Sequence, residues 1–146
     1  MSSATEPLPP ARRLGALAAL RGGAAWLHLA LALAIALGVF VQVYLIGAYI
    51  FGAGADALDA HESVGFSVHG LEVLVLIAAL VAWRPRIDVL VALALAVIGT
   101  VQITLASSTK WVGALHPLLA LAVLALASLL VRRGLGRIRR VPSAAV

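Results

Sequence analysis

The chain has 146 residues, of which 63% are hydrophobic and 12% charged, with no cysteine and a formal charge of +5; its mean hydropathy is +1.09. Soluble domains carry about 45–50% apolar and about 25% charged residues, and so few polar side chains cannot cover a water-facing surface. A soluble enzyme, a disordered tail and a disulfide-stapled secreted module are excluded, which leaves a membrane protein.

Residues 1–21 form a Ser-, Pro- and Ala-rich segment holding Arg12, Arg13 and Arg21. A signal peptide also begins with basic residues. The uncharged run that follows, from Gly22 to Ala55, is too long for an h-region of about 7–15 residues. It predicts a first transmembrane helix over 24–50, its end softened by Gly52 and Gly54. Three further spans are expected at about 63–83, 88–108 and 112–131. The second is apolar except for His69 and Glu72, while Val89–Thr109 and Trp111–Val131 hold no Asp, Glu, Lys or Arg. About 20 residues at 1.5 Å each cross the roughly 30 Å hydrocarbon core. The expected fold class is all-α, an integral membrane four-helix bundle of one domain, followed by a basic tail over 132–146.

Charge sets the expected orientation. Arg12, Arg13 and Arg21 precede the first span, Arg84 and Arg86 join the second to the third, and Arg132, Arg133, Arg137, Arg139 and Arg140 follow the fourth. Lys110 alone falls on the opposite side. Under the positive-inside rule both termini are cytoplasmic. Basic residues confined to short inter-span segments mark topology rather than a nucleic-acid face. Trp26, Trp83 and Trp111 fall at span ends, as interfacial aromatics do. The outer loops are Phe51–Glu62, with Asp56, Asp59 and Glu62, and the turn Ser107–Lys110. The tail reads as a topology anchor touching anionic lipids, with docking to a protein as the alternative. Gly134, Gly136 and Pro142 argue against a long helix there. Small-residue faces such as Gly22-Gly23 allow oligomers without specifying one.

A short internal repeat is visible. Val41-Gln42-Val43-Tyr44-Leu45 and Val101-Gln102-Ile103-Thr104-Leu105 occupy the outer ends of the first and third spans. Each precedes an outer loop and then a histidine, His61 (and His69) or His116. Helix pairs 1–2 and 3–4 thus read as parallel repeats about an axis along the membrane normal.

Polar residues inside a membrane are costly and ask for a reason. These are His28, Gln42, His69, Glu72, Gln102 and His116, with His61 at the outer boundary. The chain carries no Ser–His–Asp set and no phosphate-cradling glycine loop, so enzyme activity has no residue-level support. Facing imidazoles in a four-helix bundle can hold a haem. His116-Pro117 opens the fourth helix, its imidazole either a cap for the loop or an axial ligand. His61 is either a water-exposed interfacial residue or a ligand. His69 and Glu72 share a helix face at i,i+3 and form either a helix-gluing pair or a proton relay, with Glu62 as a further relay candidate. Counted from the inner arginines, His69 and His116 lie at similar depth, and His61 lies roughly 10 Å nearer the outer surface. Helix tilt, or a fourth helix continuing to Arg137, brings His61 level instead. His28 lies near the inner end and reads as an interfacial or packing residue, which argues against a two-haem wire.

Gln42-x4-Gly47, His61-x3-Gly65-Phe66, Gln102 and Trp111-x4-His116-Pro117-x2-Ala120-Leu121 resemble the small four-helix membrane proteins of the actinobacterial DUF6220 type, over nearly the whole chain. Leu119 departs from the Asn which that family favours. More remotely, the Gln…His pattern is similar to one four-helix half of haem A synthase, whose halves each carry a ligating His at the outer start of the second and fourth helices. That likeness implies His61 and His116 as axial ligands, with Glu62 a counterpart to the synthase's carboxylate. The half-length chain, without cysteines in its outer loop, departs from the synthase.

Three functional expectations follow. The first is a small haem-b-binding protein of electron transfer, haem handling or redox sensing, with His61 and His116, or His69 and His116, as ligands near Gln42 and Gln102. The second is a non-enzymatic structural or accessory membrane protein, and the third a small proton-coupled transporter using Glu72 and His69. A bacterial cytoplasmic membrane is expected, with anionic lipids at the Arg-rich inner face.

Overall fold

The computed structural model describes residues 10–108 and 110–138. Residues 1–9, Arg139, Arg140 and Pro142 of the expected termini lie outside the described residues. The helices are α1 (Pro10–Ile50), α2 (Ala55–Val81), α3 (Arg86–Ala106), a single turn α4 (Lys110–Gly113) and α5 (Leu115–Ile138). Four stretches, Leu14–Ile50, Ala55–Val81, Arg86–Ala106 and Lys110–Ile138, are long and apolar enough to cross a membrane. The chain is a small polytopic membrane protein built as a four-helix bundle.

Short connections force neighbouring helices antiparallel. Around the ring the backbones of α1 and α2, α2 and α3, α3 and α5, and α5 and α1 lie side by side, while α1/α3 and α2/α5 stand on the diagonals with their backbones apart. The core is narrow because small residues fill much of it. Ala32, Ala36, Ala78, Ala79, Ala92 and Ala127 are buried among Ile35, Val39, Val68, Val75, Val91, Leu95, Val123 and Leu130. Close backbone approach of this kind is how membrane helices gain packing energy, since lipid is as apolar as leucine. Large apolar side chains such as Leu37, Phe40, Leu74 and Leu121 point outward. All three buried charged or polar residues among the described ones, His28, Glu72 and Asp88, are fully enclosed.

Both long helix ends close with the same local hydrogen bonds. After α1, Ala53 N–H donates to Ala48 O (2.9 Å) and Gly52 N–H to Tyr49 O (3.1 Å). This is a Schellman cap, and Gly52 supplies the left-handed residue at φ 95° that it requires. After α2, Arg84 N–H donates to Ala79 O (2.9 Å) and Trp83 N–H to Leu80 O (3.1 Å). Here Trp83 takes the left-handed place at φ 51°, and the Arg21 guanidinium stacks on its ring, 4.1 Å from the centroid. That stack ties α1 to the α2–α3 turn at the arginine-rich end.

Three helix limits differ from the expected span limits. The first helix begins at Pro10 rather than 24: proline suits a first helical position, and the Ala, Leu and Arg that follow are strong helix formers. The expected outer loop Phe51–Glu62 shrinks to residues 51–54. Asp56 opens α2, where an acid meets the positive helix end, and Asp59, His61 and Glu62 are helical. The tail does not break at Gly134 and Gly136, because α5 runs on to Ile138. Gly134 is a packing position, where a Cβ would lie 2.9 Å from Leu29 Cδ1 on α1.

Candidate functional site

Polar groups occupy the bundle interior at three levels. At the outer level, α1 presents Gln42 to α2. Gln42 Nε2 donates to His61 O (2.9 Å), and His61 Nδ1 bonds back to Gln42 O (3.1 Å). Gly65, one turn beyond His61, leaves the room this needs, since a Cβ there would lie 2.8 Å from Gln42 Nε2. The second helix pair repeats half of the arrangement, with His116 Nδ1 bonded to Gln102 O at 3.1 Å. The Oε1 atoms of Gln42 and Gln102 are both buried without a donor among the described residues.

These bonds fix the tautomers. A carbonyl oxygen only accepts, so Nδ1 of His61 and of His116 carries the proton and donates it. In each neutral ring the lone pair then resides on Nε2. The two rings, from diagonal helices, meet edge to face with centroids 6.2 Å apart and planes at 71°. The two imidazoles come together despite the depth count from Arg132.

His69 is turned elsewhere. Its Nδ1 meets Glu72 Oε2 at 3.0 Å and its Nε2 meets Thr100 Oγ1 on α3 at 3.4 Å. Glu72 is fully buried. The space for its carboxylate comes from Gly99 of α3, where an added Cβ would overlap Oε2. Gly99→Ala is therefore expected to destabilise the bundle by about 1–3 kcal/mol, the usual cost of overpacking. Gly70, with open space around it, is the control, and Gly70→Ala should not lower thermal stability in detergent, since alanine is the better helix former. Glu62, on the exposed side of α2, makes no hydrogen bond among the described residues and is not drawn into either group.

The inner level was missed by sequence reasoning. Asp88, in the first turn of α3, is fully buried, with Arg133 Nε on Oδ1 (2.5 Å), Arg137 Nη1 on Oδ2 and Arg84 Nη2 at 3.2 Å from Oδ2. Burial, with the Arg137 guanidinium beside it, lowers the Arg84 pKa from the ordinary arginine value, though a guanidinium keeps its charge in proteins. His28 of α1, also fully buried, feels the charges of Arg84, Asp88 and Arg137, and neither of its ring nitrogens has a partner among the described residues. The available signal was Asp88 itself, a lone acid amid arginines that otherwise read as topology markers.

Among the described residues, no three His, Asp or Glu side chains gather to hold a bare metal ion. What His61 and His116 offer instead is a pair of imidazole lone pairs. Comparison with protein-family models, with curated proteins and with solved structures gave no match.

Proposed function

We propose that the chain is a membrane-embedded haem b protein with His61 and His116 as axial ligands. The observation that carries this reading is the spacing and tautomer of the two rings. His61 on α2 and His116 on α5 are the residues that would hold the group, one imidazole from each of two diagonal helices. The rings stand at 6.2 Å. Each Nδ1–H is held by a main-chain carbonyl, the usual outer partner of a metal-bound histidine, which orients the ring and raises its basicity. Diagonal helices of a bundle are where such pairs are built. A bound haem would supply one-electron chemistry, for electron transfer, haem handling or redox sensing. The chain's own part is to orient the two imidazoles through the carbonyls of Gln42 and Gln102. Arginine and alanine usage favours a bacterial cytoplasmic membrane, with the arginine-rich end inward.

The test is an absorption spectrum of the detergent-purified full chain, expressed with ample haem. A Soret band with sharp α and β bands on reduction is expected. Colourless protein that binds no added haem overturns the proposal.

A second reading, a non-enzymatic structural or accessory protein, is favoured by one observation. The reciprocal Gln42–His61 bonds clamp α1 to α2, which is useful without any cofactor. Proton-coupled transport rests only on the pairing of buried Glu72 with partly exposed His69.

A further inference from the structure

We infer that the guanidinium cluster around Asp88 is a binding site for a phosphate-type anion at the arginine-rich end of the bundle, independent of whether the outer histidines hold haem. Three arginines surround one carboxylate, so the cluster keeps a surplus of two positive charges. Both oxygens of Asp88 are already engaged, Oδ1 by Arg133 and Oδ2 by Arg137 and Arg84. Donors remain. Arg133 uses only Nε and Arg137 only Nη1, which leaves the other nitrogens of each without an acceptor among the described residues. Their side chains are 32% and 34% exposed, so these forks can be reached from outside. Arg84 is nine-tenths buried; its Nε is enclosed without a partner among the described residues, and its Nη2 meets Asp88 Oδ2 as an ion pair without a hydrogen bond.

Charges and donors left unmet at the edge of a low-dielectric bundle are costly. An anion with several acceptor oxygens removes both costs at once, and planar guanidinium forks match phosphate geometry in particular. An open groove of about 290 Å³ lies beside the cluster, lined by Ala79, Leu80, Trp83, Arg84 and Val89. An apolar wall next to arginine is the setting of a phosphodiester headgroup with its chain in the bilayer. A free phosphate has the same oxygens without the chain.

The experiment uses the full chain, stripped of lipid in neutral detergent. Binding is read by native mass spectrometry and by the shift in thermal unfolding. One arm compares phosphatidylglycerol with phosphatidylcholine in mixed micelles; the other compares sodium phosphate with sodium chloride at equal ionic strength. Preference for phosphatidylglycerol is expected, with Arg133→Gln and Arg137→Gln each lowering affinity about fivefold. Arg132→Gln, an exposed neighbour outside the cluster, should have no effect. If inorganic phosphate also stabilises the protein, the site is filled from water; if only the lipid does, the headgroup is the ligand. Binding of neither anion by the wild-type chain overturns the inference, and so does an equal loss in Arg132→Gln, which would show diffuse surface charge rather than a site.

Discussion

His61→Ala and His116→Ala are each expected to abolish the b-type spectrum, whereas His69→Ala keeps it. Each of the first two removes one of the two imidazoles that the proposal assigns to the haem, and a single imidazole cannot supply both bonds to the iron. His69 points both ring nitrogens at Glu72 and Thr100 and has none to spare. Gln42→Ala separates the side chain from the main chain. It deletes the amide bond to His61 O, at about 0.5–1.5 kcal/mol of stability, but leaves the carbonyl that holds Nδ1. Haem should stay. Loss of the spectrum in His69→Ala together with its survival in His61→Ala would move the ligand pair to His69 and His116. Reduced-minus-oxidised difference spectra of the four variants decide this in one series.

Asp88→Ala is expected to cost about 3–5 kcal/mol, the penalty for removing one partner of a buried ion pair and stranding the other. Three guanidiniums would then face one another at the junction of α3, α5 and the α2–α3 turn without a counter-charge. Arg137→Gln should cost less, because Arg133 and Arg84 still neutralise the carboxylate. Asp56→Ala, at the exposed start of α2, should cost only the helix-end contribution of about 0.3–1 kcal/mol. Thermal or denaturant unfolding in detergent measures all three. Wild-type stability in Asp88→Ala would mean that the cluster does not hold these elements together.

Much of the fold is legible in the sequence because a bilayer imposes strong one-dimensional rules. An apolar run of sufficient length must be a helix, since no water is there to satisfy an exposed backbone. Four spans and the grouping of the arginines at one end follow from that alone. Helix ends were harder to read. Gly134 and Gly136 looked like breakers, but Gly134 serves the contact with Leu29, and a glycine required for packing resembles a glycine that ends a helix. Asp56, Asp59 and Glu62 looked like a loop because acids are foreign to a span, yet all three are helical, and Asp56 falls in the first turn, where an acid is favoured.

The sequence by itself determined the environment, the number of crossings and a short set of polar residues with a Gln…His repeat. It left His61 and His69 competing as partners for His116, since depth along a helix can be counted but rotation about its axis depends on the neighbours. Only the tertiary structure decided which ring faces which. Placing α2 and α5 on a diagonal brings His61 and His116 to 6.2 Å, and the carbonyls of α1 and α3 set their tautomers. It also gathered Arg84, Asp88, Arg133 and Arg137 from distant parts of the chain into one cluster. Charges far apart in sequence carry no pairing signal until packing removes the water between them.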